Sequence, residues 1–355
     1  MKHIIVVNPA AGRKSAVPAV LAQAEKLKGA YDVTLYETQG IGDATRFVRE
    51  QIAAAPGTPM RFYACGGDGT LKEVVSGAVG TADVSVSAYP CGSGNDFVKY
   101  YGGADKFLSL EALFEGEERE IDLVTDGTDY SINAANFGFD YAVCKTMEKV
   151  RRFPLLSGKR AYYAGIAKSL LTAMKNRVSV RADGELLGEG KFLLCTLANG
   201  THIGGSYMCA PRSDNEDGCL ELCYVRAISV PRFLKLIGYY KRGEHLDAKV
   251  MAPYIVYRRV KKIEVTSPDR GFGYAMDGEM HPSQSFTLSI VPRALRFAIP
   301  KAAKEFIEAR RAKCQEAPAD YVRTTPSQDS ILILIQNSRF LTIRQPVFNI
   351  FVTFL

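Results

Sequence analysis

The residues best placed to do chemistry stand five in a row. Gly66-Gly67-Asp68-Gly69-Thr70 follows the apolar run Phe62-Tyr63-Ala64-Cys65 and precedes a helical pattern. Glycines in such a turn let backbone N–H groups approach a phosphate, and the N-terminus of the following helix adds favourable partial charge. A carboxylate inside a phosphate loop repels the ligand unless a cation stands between them. Asp68 therefore implies Mg²⁺ bound with a nucleotide, or a water network serving it. The plainer alternative is a tight strand-to-helix turn with Thr70 as cap. A second group, Pro90-Cys91-Gly92-Ser93-Gly94-Asn95-Asp96-Phe97, also follows an apolar run. It offers the short polar side chains of Ser93 and Asn95 and a second carboxylate, Asp96. It could instead be the cap of a helix starting near Phe97. Two Gly/Asp loops after neighbouring strands favour one shared site over two unrelated caps.

A third segment, Asn8-Pro9-Ala10-Ala11-Gly12-Arg13-Lys14, has neither the Walker A spacing nor GxGxxG. As a third loop at the same sheet edge, extended by Thr38, it fits the adenosine and phosphates of a nucleotide. The fourth signal lies far away, in Ala275-Met276-Asp277-Gly278-Glu279. Phosphoryl transfer to a hydroxyl requires a carboxylate that accepts the hydroxyl proton close to the γ-phosphate. Asp277 suits that role, and Glu279, on an extended strand, would point to the same side. An ordinary Asp-Gly turn is the competing reading.

The elements that must position these residues follow two grammars. In the first 100 residues, buried strands (Ile4–Val7, Tyr31–Tyr36, Met60–Cys65, Val84–Tyr89) alternate with helices (Val17–Lys28, Asp43–Ala54, Leu71–Val79). That alternation predicts an α/β domain, a parallel sheet with helices on both faces, whose ligands bind beyond the carboxyl ends of the strands. From Ile121 hairpin-like strands take over: Ile121–Val124 with Ser131–Phe137, Val178–Ala182 with Leu186–Ala198, then Leu220–Arg226, Ile255–Thr266 and Phe286–Val291. Asp126-Gly127, Asp183-Gly184 and Asp217-Gly218 supply turns, and helical inserts are expected at Tyr162–Met174 and Pro231–Tyr240. The expected architecture is therefore a nucleotide-binding domain over 1–120, an antiparallel β-sandwich-like domain over 121–300, and a remainder over 301–355. That remainder holds a helix (Lys301–Lys313), a linker (Glu316–Gln328) and an apolar stretch (Ile331–Leu355) that fits neither domain.

With 47% hydrophobic and 23% charged residues, the 355-residue chain is neither disordered, collagenous nor coiled-coil. The net charge of +7 is unevenly placed. Nine Lys/Arg fall between Lys145 and Arg177 against Glu148 alone, and ten between Arg226 and Lys262 against Glu244 and Asp247. Such segments suit an anionic partner, an acidic membrane face included, although solvated helix faces give the same pattern. The eight scattered Cys form no CxxC pair, which fits reduced thiols in a cytoplasmic protein. The short apolar run behind Met1 is too brief for a signal peptide, and no run reaches the roughly 20 residues of a bilayer span.

Together these motifs resemble the diacylglycerol kinase catalytic domain family, in particular its soluble bacterial lipid kinases, related to sphingosine and ceramide kinases. The resemblance runs in order over about residues 2–300. It implies that Gly66, Gly67, Asp68, Gly69 and Thr70, with Leu71 and Lys72 behind them, bind ATP phosphates, together with Ser93, Asn95 and Asp96. It carries the family's Asn-Pro-x-x-Gly opening onto Asn8, Pro9, Ala10, Ala11 and Gly12, and its nucleotide-contacting Thr onto Thr38. Its catalytic Asp falls on Asp277, with Glu279 beside it. The resemblance also implies a structural Mg²⁺ in the second domain, held by Asp217 and the carbonyls of Asp214 and Cys219, and a catalytic Mg²⁺ near Asp68 and Asp96. The function expected is ATP-dependent phosphorylation of a lipid hydroxyl, diacylglycerol giving phosphatidic acid, by a cytoplasmic enzyme peripherally attached to an anionic membrane. No nucleic-acid motif is present, and a homodimer stays open. The rivals are another GGDGT-loop kinase, such as an NAD kinase, and a silent lipid- or nucleotide-binding module.

Overall fold

The computed structural model describes residues 1–12, 16–151, 169–170, 174 and 176–315. The first four apolar runs become β1 (Lys2–Val7), β2 (Asp32–Glu37), β3 (Met60–Gly66) and β4 (Val84–Pro90), joined by α1 (Ala16–Leu27), α2 (Asp43–Ala54) and α3 (Asp68–Ala78). β1 pairs in parallel with β2 and β3, and β3 with β4. β3 and β4 are buried along their whole length, as strands covered by helices on both faces must be. Because all four run the same way, the loops after them open at one edge. Asn8, Thr38, Gly67 and Gly92 are brought together by that constraint.

The segment after β4 forms 3₁₀ turns at Phe97–Tyr101 and Ala104–Phe107 and the short helix α4 (Leu110–Phe114). Then come β5 (Glu117–Thr125), β6 (Tyr130–Ser131), β7 (Ala134–Gly138), α5 (Phe139–Arg151), β8 (Asn176–Ala182), β9 (Glu185–Ala198), β10 (Leu220–Arg226) and α6 (Val230–Lys241). The chain continues through β11 (Ile255–Val260), β12 (Lys262–Thr266), β13 (Gly273–Met276), β14 (Glu279–Pro282), β15 (Ser285–Ile299) and α7 (Lys301–Gln315). Phe137, Phe192, Leu197, Leu222, Ile263 and Leu288 fill the interior of this antiparallel β-sandwich. The expected inserts over Tyr162–Met174 (apart from 169–170 and 174), the linker Glu316–Gln328 and the stretch Ile331–Leu355 lie outside the described residues.

Two strand expectations change, each for a polar reason. Ser131–Phe137 does not form one hairpin with Ile121–Val124. β6 makes two pairs with β5 and stops, while β7 crosses to β9 and β13. The backbone between them turns its N–H groups onto Asp277. Ile255–Thr266 breaks at Lys261, where the Asp183 carboxylate accepts the amides of Lys261 and Lys262 at 3.0 and 2.9 Å.

The two halves are also interleaved near residue 300. β15 begins against β12 in the sandwich and ends in parallel with β4 of the first sheet. Leu295, Phe297 and Ile299, with Ala303 and Ile307 of α7, are buried in the core of the first domain. The nucleotide domain is therefore completed by chain that returns after the sandwich is built. A fragment ending at Thr125 should show no cooperative thermal transition by circular dichroism. In the full chain Phe297→Ala should cost about 3–5 kcal/mol in urea denaturation. A fragment that melts cooperatively would show that the returning strand is dispensable.

Candidate active site

At the shared edge, Asn8 locks the first loop onto the second. Its side-chain Nδ2 donates to Thr70 Oγ1 (2.9 Å), its Oδ1 accepts the Ala10 amide (3.0 Å), and its own amide donates to the Cys65 carbonyl (2.9 Å). Thr70 is thus not the helix cap. α3 starts at Asp68 behind Gly67. The glycines allow the loops to touch. A Cβ on Gly92 would lie 2.4 Å from the Gly67 Cα, and one on Gly12, at φ +68°, would lie 1.6 Å from the Cys91 carbonyl oxygen. Asn95 takes a left-handed φ of 48° and donates to the Gly92 carbonyl (2.8 Å). Pro9, Ala10, Gly12, Gly69 and Ser93 remain exposed along this rim, with Ala11 half-buried and Thr38 buried beneath it. Leu71 does not belong to the rim, since its side chain is buried in the first-domain core. Lys72 also turns away, into ion pairs with Asp129 and Glu279.

Asp68 is the carboxylate that fits a cation. Its Oδ1 accepts the Asp96 amide (2.7 Å), and Oδ2 faces Gly94, 2.9 Å from where a Cβ would stand. Burial, then the neighbouring Asp96 charge, push its pKa up to about 6, and Asp277 adds to the effect. Among the described residues Asp68 forms no ion pair, so its charge is left for a cation brought with the nucleotide. Asp96 is already engaged. Its Oδ1 accepts Lys99 Nζ (2.6 Å), and both oxygens accept the Gly205 amide from the second domain (3.1 and 2.9 Å). Its geometry is that of a link between domains.

Asp277 occupies a two-residue turn between β13 and β14, with φ +49° there and +86° at Gly278. The extended strand expected through Asp277 and Glu279 is therefore replaced by the Asp-Gly turn, and Glu279 pairs across it with Met276. The carboxylate is held by the segment between β6 and β7. Oδ1 accepts the Ser131 hydroxyl (2.7 Å) and the amides of Asn133 and Ala134 (both 3.1 Å), whereas Oδ2 accepts only the Ile132 amide (2.8 Å). Oδ1 is crowded by three donors, whereas Oδ2, with one, keeps acceptor capacity. Burial raises the pKa of Asp277, while Ser131, the cradle amides and Lys72 pull against that rise.

The side chains of the second-domain metal set implied by resemblance are drawn into other contacts. Asp214 Oδ1 accepts Arg311 Nη2 (2.5 Å) and the Tyr100 hydroxyl (3.2 Å). Asp217 pairs with Arg259, and its other oxygen accepts the Cys219 amide (2.9 Å). Of the implied ligands, the Asp217 side chain is therefore already engaged by Arg259, and the side chain of Asp214, whose carbonyl is the implied ligand, by Arg311. Among the described residues, Asp129, Glu279 and His281 bring ligand atoms within 4.8 Å of one another, but Lys72 is the cation there.

Sequence reasoning missed Ser131, Ile132 and Asn133, whose donors cradle Asp277, and Asp129. It also missed Asp122, wholly buried, whose carboxylate accepts the amides of Gly218 (2.7 Å) and Arg293 (2.8 Å) where the domains join. Their partners lie tens to well over a hundred positions away, and no local pattern announces them.

A raised carboxyl pKa means that the folded state binds a proton the unfolded chain has lost. Asp68 should therefore destabilise the ligand-free protein as pH climbs from about 4 to 6, by up to about 3 kcal/mol, and keep that cost above pH 6. Asp68→Asn removes the charge. It should be more stable than the parent at pH 8 and little different at pH 4 in urea denaturation. Equal stability at both pH values would show that Asp68 carries no such charge.

The architecture agrees with comparisons to known proteins. Residues 2–125 match the diacylglycerol kinase catalytic domain, and residues 133–299 match the YegS C-terminal NAD kinase beta sandwich-like domain. The chain is 28% identical over 282 residues to the diacylglycerol kinase of Bacillus subtilis, covering 78% of this chain and 88% of that one. It is 28% identical over 305 residues to a Pseudomonas aeruginosa protein named probable lipid kinase YegS-like, covering 84% and 93%. The fold also superposes on the crystal structure of a diacylglycerol kinase from Bacillus anthracis with TM-score 0.62 at 19% identity, over 85% of this chain and 98% of that one. With its nucleotide-binding half and its sandwich half matched in order, the chain carries a diacylglycerol kinase catalytic domain followed by a YegS-type C-terminal domain.

Proposed function

We propose that this chain transfers the γ-phosphate of ATP to a lipid hydroxyl, with diacylglycerol giving phosphatidic acid. One observation carries the reading. A carboxylate with acceptor capacity to spare, Asp277 Oδ2, stands on the hairpin turn that Lys72, four residues after Asp68 on α3, ties to the phosphate-loop helix through Glu279. The loops around Gly67, Gly92 and Gly12 offer backbone to the phosphates, and Asn8 holds two of these loops in register. Asp68 would hold Mg²⁺, which when bound supplies positive charge to the phosphate oxygens. Asp277 Oδ2 accepts the proton of the lipid hydroxyl as that oxygen attacks the γ-phosphorus and ADP leaves. The names of the Bacillus subtilis and Pseudomonas aeruginosa relatives support the acceptor class.

Incubation with labelled ATP and a total lipid extract, followed by identification of the labelled product, tests the acceptor. Asp277→Asn keeps the size of the side chain but removes the proton acceptor. It should lower turnover by about 10²–10⁴-fold while ATP affinity by calorimetry holds. Near-normal turnover in that variant would remove Asp277 from the mechanism.

A lipid kinase must also reach its substrate at a membrane surface. Among the described residues no helix is long and apolar enough to cross a bilayer. Helix α6 instead exposes Arg232 and Lys235, with Arg242 just past its end and Lys249 beyond. The basic positions Arg152, Lys159 and Arg160 lie outside the described residues, and of Arg151 only the backbone falls within α5. Each surface cation near an anionic bilayer contributes about 1 kcal/mol. Co-sedimentation with anionic vesicles should weaken as salt rises, and Arg232→Glu with Lys235→Glu should weaken it further without changing ATP affinity. Vesicle binding indifferent to both would show that these charges are merely solvated.

A further inference from the structure

We infer that Lys72 is a positioning residue and not a nucleotide ligand: from the phosphate-loop helix it tethers both arms of the Asp277 cradle in the second domain. The inference rests on the kinase reading for its effect on turnover, and on geometry alone for the tether itself. Lys72 is only 2% exposed. Its ammonium donates to Asp129 Oδ2 (2.7 Å) and to Glu279 Oε2, residues 57 and 207 positions away in sequence. With two of its three donors on carboxylates and the side chain buried, it is not free to meet a phosphate.

The two partners are not arbitrary. Asp129 directly precedes Tyr130 and Ser131, and the Ser131 hydroxyl holds Asp277 Oδ1 at 2.7 Å. Glu279 is the first residue of β14, just past the Asp277-Gly278 turn, in register with Met276. Lys72 therefore grips the segment that binds the Asp277 carboxylate and the hairpin that presents it. On its own side it stands four residues after Asp68, on the same face of α3. One rigid helical turn thus sets the carboxylate of the phosphate side against that of the acceptor side. Within the second domain the same two arms are joined again, since the Tyr274 hydroxyl donates to Asp126 Oδ2 (2.6 Å) and the His281 ring stacks on Tyr274 at 4.9 Å. The turn and the hairpin should move as one body, with Lys72 as their attachment to the first domain.

The test uses the full chain and compares Lys72→Met, Lys72→Arg and Glu279→Gln, alone and combined. In Lys72→Met, ATP affinity by calorimetry should hold, while kcat per folded molecule with ATP and diacylglycerol falls by about 10²-fold, the cost of a misplaced reacting group. Amide hydrogen exchange of residues 273–282 should accelerate. Lys72→Arg, which can reach the same two carboxylates, should restore most of the turnover. Glu279→Gln should lower kcat less, and should add nothing in the Lys72→Met background, because the two changes cut one link. An ATP Kd raised about tenfold with kcat preserved would make Lys72 a phosphate ligand and overturn the inference. Unchanged kcat and unchanged exchange with only a lower Tm would make it a structural ion pair and overturn it equally. If Lys72→Met does not fold, the Glu279→Gln turnover and exchange decide the matter. If the wild-type protein labels no lipid, the kinase reading fails on that result alone, while hairpin exchange still decides the tether.

Discussion

Everything that makes this molecule more than two packed domains converges on the Asp277 carboxylate. Four consecutive residues, Ser131 to Ala134, surrender their side chain or backbone donors to it, and in return the Asp277 amide donates to the Ala134 carbonyl at 3.0 Å. A buried anion needs such compensation, because an unpaired charge away from water costs far more than folding can spare. The cradle explains why β6 is only two residues long and why β7 leaves its neighbour. The backbone between them is occupied by the carboxylate and cannot extend the ladder. Asp277 in turn occupies a left-handed turn position that a short polar side chain tolerates better than most.

Against that anchored anion, the remaining carboxylates of the junction divide into compensated and uncompensated. Asp96 has Lys99 and the Gly205 amide, Asp214 has Arg311, Asp217 has Arg259, and Asp129 and Glu279 share Lys72. Asp68 has amide donors but no cation, and its pKa is correspondingly raised to about 6. A carboxylate kept ionisable yet unpaired beside glycine loops is a stability cost in the free protein, one that the metal–phosphate complex of the proposed function would offset. The acidic segment Asp214–Asp217 has the opposite character. Its arginines turn it into a seam, with Arg310 and Arg311 of α7 fastened to it and to the carbonyls of Pro211 and Ser213.

Interleaving of the two domains follows from β15. One strand pairs with β12 in the sandwich and then with β5 and β4, so both cores draw on it. The site lies at this junction, and the links across it (Asp96 to Gly205, Lys72 to Asp129 and Glu279) are polar and hydrogen-bonded. Apolar burial holds each half together, while a few charged contacts set their alignment.

The amino-acid sequence by itself determined the parallel α/β half, the sandwich half and the four loops of the sheet edge. Those features are written in local periodicity and turn chemistry: uninterrupted apolar runs for buried parallel strands, Gly-Gly-Asp-Gly-Thr and Gly-Ser-Gly-Asn-Asp for the turns behind them, Asp-Gly for a hairpin. Position in a motif did not determine what each side chain does. Leu71 and Lys72 stand beside the phosphate loop in sequence, yet a 100° step per residue on a helix sends one into the core and the other across to the second domain. Glu279 stands beside Asp277, yet a two-residue turn sets it on the opposite strand. Asp214 and Asp217 stand in one acidic turn, yet their side chains are drawn to arginines 97 and 42 positions away. Only the tertiary structure decided these roles, because hydrogen bonds and ion pairs act over about 3 Å in space, whatever the separation along the chain.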